Sequence, residues 1–124
     1  MKNVSGILCY VKDTKKTADF YKTLGFKFYK CEPNHVSIHL NQFWIDFHPQ
    51  DKENKPDFQK EATLSNKGAG LFLYLCVDDV DEFYRDLVAK GLKPSSEPRD
   101  WPWGNREFVI RDPDGYKIVF FHKI

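Results

Sequence analysis

Three side chains in the first half of the chain, His39, Asp46 and His48, are of the types that hold a metal ion. Two imidazoles and a carboxylate suit a zinc-class ion if the fold brings them together. Asp46 and His48 are two residues apart in a β-rich run, so both leave the same side of a strand. His39 lies on the preceding run and meets them only if the two strands pair suitably. Nothing in the spacing forces that geometry, so the expectation is no metal site. His35 and His122 read as surface residues. No serine among Ser5, Ser37, Ser65, Ser95 and Ser96 sits in a G-x-S-x-G turn, which removes the usual serine-nucleophile context. Asp46 and Glu107 form no evident acid–base pair, and no catalytic residue is assigned. Cys76 is a thiol of ordinary type, and buried thiols are usually inert.

A second stretch carries both charge and rings: Asp100 to Phe108, DWPWGNREF, followed by DPDG at Asp112 to Gly115. Pro102 fixes one backbone angle and Gly104 frees another, so the two tryptophans sit on a rigid corner. They either pack that corner or also touch a ligand. Arg106 is either a clamp for a ligand's anionic group or a brace for the corner, paired with Asp112 or Asp100. Its planar fork suits a bidentate carboxylate, which favours the brace.

The elements that would position these residues form a repeat. Residues 4–12 read as a strand, Asp13 as a helix cap, and Thr17, Ala18, Tyr21 and Leu24 as one helix face that Gly25 ends. Three strands follow near 26–31, 35–41 and 43–49, with Asn34 and Asn41-Gln42 in the turns. Residues 50–67 are charged and polar and read as a partly mobile linker with room for a short helical turn; Phe58 is their one buriable ring. The pattern then restarts. Residues 70–77 are a strand, Asp79 to Glu82 has the form of a capping box, and Val80, Phe83, Tyr84, Leu87 and Val88 make an apolar helix face that Gly91 ends. A short strand near 92–97 and a hairpin at 105–111 and 116–122 complete it. Val11, Asp13 and Gly25 fall on Val77, Asp79 and Gly91 without a gap, the mark of a duplicated unit. The order is βαβββ twice, an α+β chain: module one is 1–49, the linker 50–67 and module two 68–124.

The bulk numbers exclude several classes. A net charge of +1, spread along 124 residues, leaves no basic stripe for nucleic acid. No apolar run approaches the roughly 18 residues of a membrane span, and the first residues lack signal-peptide architecture. Three cysteines, Cys9, Cys31 and Cys76, are odd in number and fit a reduced, cytoplasmic setting.

The doubled βαβββ order resembles the vicinal-oxygen-chelate superfamily. So do Val-x-Asp before each helix, Phe-Tyr in each helix, and Trp103-Gly104-Asn105-Arg106-Glu107-Phe108 followed by DPDG. Glyoxalase I, extradiol dioxygenases, fosfomycin-resistance enzymes and bleomycin resistance proteins belong to it. The chain looks most similar to the bleomycin resistance protein group. The resemblance covers the whole chain and implies cupped mixed sheets with a ligand in the cup. It also implies four metal-ligand positions, which fall on Gly6, Asp46, Phe72 and Val119. Three of those side chains cannot bind a metal, so the resemblance implies the cup without its ion.

Strand alternation assigns the cup face. If those four positions face the cup, so do Leu8, Tyr10, Trp44, His48, Tyr74, Cys76, Lys117 and Phe121, with Ser37 and His39 from the third strand. The opposite parity is almost wholly apolar: Ile7, Cys9, Val11, Phe43, Ile45, Phe47, Leu71, Leu73, Leu75, Val77, Ile118 and Phe120, with Val36, Ile38 and Leu40. An aromatic-walled cup with few polar groups suits a small molecule. Trp44, Phe72, Tyr74, Trp103 and Phe121 offer stacking surfaces, and Asp46 among them favours a cation. The expected ligand residues are these together with Tyr10, His39, His48 and Arg106. The expected function is non-catalytic sequestration of an aromatic or cationic compound, as a homodimer and without cofactor. The alternative functional reading is a metal-dependent glyoxalase- or dioxygenase-type enzyme built on His39, Asp46 and His48. An alternative for the cup is a subunit interface.

Overall fold

The computed structural model describes residues 1–124. Eight strands and three helices run in the order β1 (Gly6–Val11), α1 (Thr14–Leu24), β2 (Phe28–Glu32), β3 (His35–Leu40), β4 (Phe43–Pro49), α2 (Pro56–Ala62), β5 (Phe72–Cys76), α3 (Val80–Ala89), β6 (Arg99–Asp100), β7 (Asn105–Arg111) and β8 (Lys117–Lys123). Backbone contacts divide the chain into two compact units, residues 1–67 and 68–124.

The two units share one topology. The first sheet has the order β1-β4-β3-β2 and the second β5-β8-β7-β6. In each, the strand before the helix pairs in parallel with the last strand, and the remaining pairs are antiparallel. A parallel pair needs a crossover connection. The intervening helix, followed by the hairpin strands, supplies it in both units.

Both long helices start as their sequences predict. Asp13 is extended and its carboxylate accepts from the amides of Lys15 and Lys16 at 2.9 and 3.2 Å. Asp79 accepts from Asp81 and Glu82, both at 3.0 Å. Such caps satisfy amides that the helix itself leaves without partners. Gly25 takes a left-handed φ of 104° and ends α1. Helix α1 buries Thr17, Ala18, Tyr21 and Leu24, the face its periodicity predicts. Tyr21 packs its ring 4.6 Å from Phe47. In the second unit Phe83 lies 4.6 Å from Phe120, and Tyr84 meets Phe108 edge-on at 5.3 Å. Val88, expected on the same face, is instead half exposed.

Three expectations need correction. No strand forms over 92–97. Pro94 removes a ladder donor there, and the segment is tied down instead by bonds from the Leu92 amide to the Leu87 carbonyl (3.1 Å), from the Ser95 amide to the Val109 carbonyl (2.7 Å) and from the Val109 amide to Ser96 Oγ (3.0 Å). The two-residue β6 follows instead. The stretch 50–67 carries a 3-10 turn at Gln50–Lys52 and then α2, and it groups with the first unit. Pro56 starts α2, a position where its missing N–H costs nothing. The buried Lys67 ammonium donates to the carbonyls of Ala62 and Leu64 at 2.9 and 2.5 Å and closes the helix end. Phe58 stays half exposed, while Ala62 is the buried contact. Finally, His122 is a structural acceptor rather than a free surface residue: its Nδ1 takes the first amide of α3, from Val80, at 2.9 Å.

Candidate functional site

The parity of the strands survives in both units. Cys9, Val11, Val36, Ile38, Ile45 and Phe47 are buried in the first; Ile118 and Phe120 are buried in the second. Leu8, Phe72, Tyr74 and Cys76, from the opposite parity, are exposed. Four residues break the pattern. Leu40, at the end of β3, and Leu71, just before β5, are exposed, and Ser37 is buried. Val119 is 2% exposed, enclosed on its ladder by Tyr74 and Val109.

In the first unit the open face is polar at one end. The Asn41-Gln42 turn sets Leu40 opposite Phe43, which places His39 opposite Trp44 and Ser37 opposite Asp46. Counting on along the ladder brings His35, not His39, beside His48. Ser37, itself buried, donates from Oγ to Asp46 Oδ1 at 2.5 Å. His35 Nε2 lies 3.1 Å from Asp46 Oδ2. That buried nitrogen makes no hydrogen bond. The His35 and His48 rings meet edge-on at 4.9 Å, and His48 Nε2 is likewise buried and unpartnered. One donor atom from each of His35, Asp46 and His48 lies within 4.8 Å of the other two.

Burial, and then the neighbouring His35, pull the His48 pKa down, against the pull of Asp46 and Glu53 in the other direction. Next to it, Tyr10 donates to Glu53 Oε1 at 2.6 Å. Burial first, and then that bond and the charges of Glu53 and Glu61, push the phenol up to about 12. Tyr10, Asn34, His48, Pro49, Lys52 and Glu53 line a cavity of about 160 Å³.

His39 is exposed and stacks on Tyr29, with centroids 4.6 Å apart and planes 15° from parallel. The metal cluster considered for His39, Asp46 and His48 therefore does not form; the residue that joins Asp46 and His48 is His35, which the sequence reading placed on the surface. The signal was present. A two-residue turn at Asn41-Gln42 fixes the register, and the register decides which histidine of β3 meets His48.

In the second unit the open face is aromatic. Phe72, Tyr74 and Trp103 are 51%, 45% and 56% exposed. Tyr74 meets Phe121 edge-on at 5.7 Å, and the Lys117 ammonium sits 3.7 Å from the centre of the Phe72 ring. Trp101 and Trp103 stack at 4.6 Å, with Arg99 covering Trp101 at 3.6 Å. Gly104, at φ 88°, turns the chain tightly enough for its amide to reach the Trp101 carbonyl. Beneath these rings is Glu107, only 5% exposed. Its Oε1 accepts from Trp103 Nε1 at 2.8 Å and from Asn105 Nδ2 at 3.0 Å. Burial, and then the negative charge of Glu107, raise the Tyr74 pKa. Asn105 Oδ1, also buried, has no donor. The sequence weighs Glu107 only as half of an acid–base pair with Asp46 and assigns Asn105 no role. Their alternation with Arg106 and Phe108 places them on the open side, which was the available clue.

Arg106, expected among the ligand residues, is a brace. It lies on the helix side of β7, donating from Nε and Nη2 to both oxygens of Asp81 at 2.7 and 2.9 Å and from Nη1 to Asp100 at 3.0 Å. Its hydrogen bonds to Asp81, then to Asp100, raise the guanidinium pKa further, and the same contact holds Asp81 below the usual carboxylate range. Asp100 was one expected partner; Asp81, in the first turn of α3, was not. Asp112 serves its own turn, accepting from the amides of Asp114 and Tyr116 at 2.9 and 3.0 Å.

The four metal positions implied by family resemblance do not fit an ion. A Cβ on Gly6 would come within 2.1 Å of the Trp44 ring, so the indole occupies the place a ligand side chain would need. Phe72 and Val119 have no donor atoms. Asp46 alone keeps one.

The family model described as the Glyoxalase/Bleomycin resistance protein/Dioxygenase superfamily matches residues 4–120. A bleomycin resistance protein of Geobacillus stearothermophilus is 28% identical, with 92% of each chain covered. A structure of a glyoxalase/bleomycin resistance protein/dioxygenase superfamily member from Sphaerobacter thermophilus superposes with a TM-score of 0.73 at 24% identity, covering 98% of this chain and 97% of that one. A glyoxalase-related enzyme from Fulvimarina pelagi gives a TM-score of 0.78 at 20% identity, covering 98% and 88%. At these identities the two structures speak for the fold alone. No helix of the chain is long and apolar enough to cross a membrane.

Proposed function

Since this chain belongs to the Glyoxalase/Bleomycin resistance protein/Dioxygenase superfamily, we propose that it is a non-catalytic small-molecule binding protein that sequesters an aromatic or cationic compound, working as a homodimer in the cytoplasm. The observation that carries this reading is the buried Glu107 carboxylate under a half-exposed set of rings, Phe72, Tyr74 and Trp103. Rings attract a planar or cationic group by stacking and through their negative faces. A carboxylate of low exposure adds charge that water screens only weakly. A bleomycin resistance protein among the relatives supports the reading at the level of ligand class. Sequestration needs affinity and shape, and three of the family's four metal positions lack a donor.

The metal-enzyme alternative drew its ligands from His39, Asp46 and His48, and His39 stands apart on Tyr29. The test is a calorimetric titration of the full chain with bleomycin and with a planar aromatic cation, each with and without chelator. We expect saturable binding that chelator does not abolish and that Glu107→Gln weakens at least about ten-fold, the scale of a charge-assisted contact. No saturable heat with either probe, or binding indifferent to Glu107→Gln, would overturn the assignment to this face. Sizing chromatography of the same samples tests the dimer, and a monomer mass would contradict it.

A further inference from the structure

We propose that the first unit holds one zinc-class divalent ion between His35 of β3 and Asp46 and His48 of β4. This inference stands on the first unit alone and is independent of the ligand reading above. It uses neither Gly6, Phe72 nor Val119; Asp46 is the one residue shared with the family positions.

Three observations converge. The first is proximity: one donor atom from each residue lies within 4.8 Å of the others. Donors around a tetrahedral ion sit roughly 3.4 Å apart, given bond lengths near 2.1 Å, so small rotations of the two rings gather them. The second is a deficit of partners. His35 Nε2 and His48 Nε2 are both buried and both lack a hydrogen bond. Buried polar atoms are nearly always satisfied, and two orphans within one cluster that also holds a carboxylate mark a place where a partner belongs. The third is support for the carboxylate. Ser37, buried beneath it, donates to Asp46 Oδ1 and leaves Oδ2 toward His35. Outer partners of this kind fix a ligand's orientation in metal sites.

The donor set decides the ion. Two imidazoles with one carboxylate favour Zn²⁺, Co²⁺ or Ni²⁺ over the oxygen-seeking Ca²⁺ and Mg²⁺. Three protein donors also leave a fourth position of a tetrahedral ion open. His48 borders the cavity of about 160 Å³ lined also by Tyr10 and Glu53. A water occupies about 30 Å³ of liquid volume, so the fourth position has room for water or a small oxygen or nitrogen ligand. Without an ion, the approach of His35 to Asp46 still leaves His48 Nε2 unsatisfied.

The experiment is titration of chelator-stripped full chain with Zn²⁺ by calorimetry and with Co²⁺ by visible absorption. The variants are His35→Ala, His48→Ala, Asp46→Asn, Ser37→Ala and His39→Ala, each checked for cooperative melting. We expect one ion per chain and a cobalt spectrum of tetrahedral intensity. His35→Ala, His48→Ala and Asp46→Asn should each weaken binding more than the roughly 10- to 100-fold that loss of an outer partner costs, Ser37→Ala by about that amount, and His39→Ala not at all. Absence of binding in the wild-type chain would overturn the proposal. So would affinity unchanged by His35→Ala and His48→Ala, or lost equally in His39→Ala. Asp46→Asn keeps the shape and the Ser37 bond, so it stays informative if an alanine variant fails to fold.

Discussion

The two open faces are built on the same ladder and have opposite chemistry. Tyr10 and Cys76 hold matching places on β1 and β5, and Asp46 and Val119 on β4 and β8. His48 corresponds to Phe121, and His35 to Glu107. At these places one face gathers two imidazoles, a carboxylate and a phenol, and the other a ring, a thiol and a valine with a single carboxylate. The covered faces barely differ: Val11, Ile45 and Phe47 in one, Ile118, Phe108 and Phe120 in the other, all buried. The duplicated fold fixes which side of each strand must be apolar, because a helix packs there. It leaves the other side free to acquire chemistry, and the two copies acquired different kinds.

The largest effects should therefore come from the shared side. Phe47→Ala and Phe120→Ala each remove a buried ring and should cost about 3–5 kcal/mol in chemical denaturation. Leu8→Ala or Phe72→Ala, on the open sides, should cost under about 1 kcal/mol. Equal costs on both sides would break the comparison. Next comes Gly6→His. Its Cβ collides with the Trp44 ring and with the Trp44 carbonyl, so we expect a loss of at least about 2 kcal/mol. Trp44→Ala in the same chain should restore only part of it, because the carbonyl contact at 2.4 Å remains.

Much of this division was legible in the sequence. The landmarks Val11, Asp13 and Gly25 against Val77, Asp79 and Gly91 reveal the duplication, and the caps at Asp13 and Asp79 act as their types predict. Period-two alternation separates covered from open residues on most strands. What escaped depends on register and on partners distant in sequence. Asp81 is 25 residues from Arg106, and its role as a brace follows only once α3 lies on β7. The substitution of His35 for His39 rests on the Asn41-Gln42 turn, one residue pair that shifts the whole ladder. Residues 50–67 look like a linker because their polarity is high; their order comes from the Tyr10–Glu53 bond and the buried Lys67, not from an apolar stripe.

Smaller effects sharpen the comparison at the helix ends. His122→Ala removes the acceptor for the Val80 amide in the second unit and should cost about 1 kcal/mol in thermal unfolding. The Asp81–Arg106 pair adds a pH dependence confined to that unit. Asp81 is held below its ordinary pKa in the fold, by its bonds with Arg106 first. Its contribution is thus present above the ordinary carboxylate pKa of about 3.9 and lost as pH falls through the depressed value. The melting-temperature difference between wild type and Asp81→Asn should be positive near neutrality and shrink on acidification below about pH 4. A difference independent of pH would mean that the pair contributes by packing rather than by charge.

The division of labour between the two faces is tested most directly by titrating bleomycin, in chelator, into wild type, Glu107→Gln and His48→Ala, with binding heat as the readout. The account predicts saturable binding that Glu107→Gln weakens at least about ten-fold and that His48→Ala leaves unchanged. Binding that tolerates Glu107→Gln and disappears with His48→Ala would contradict it.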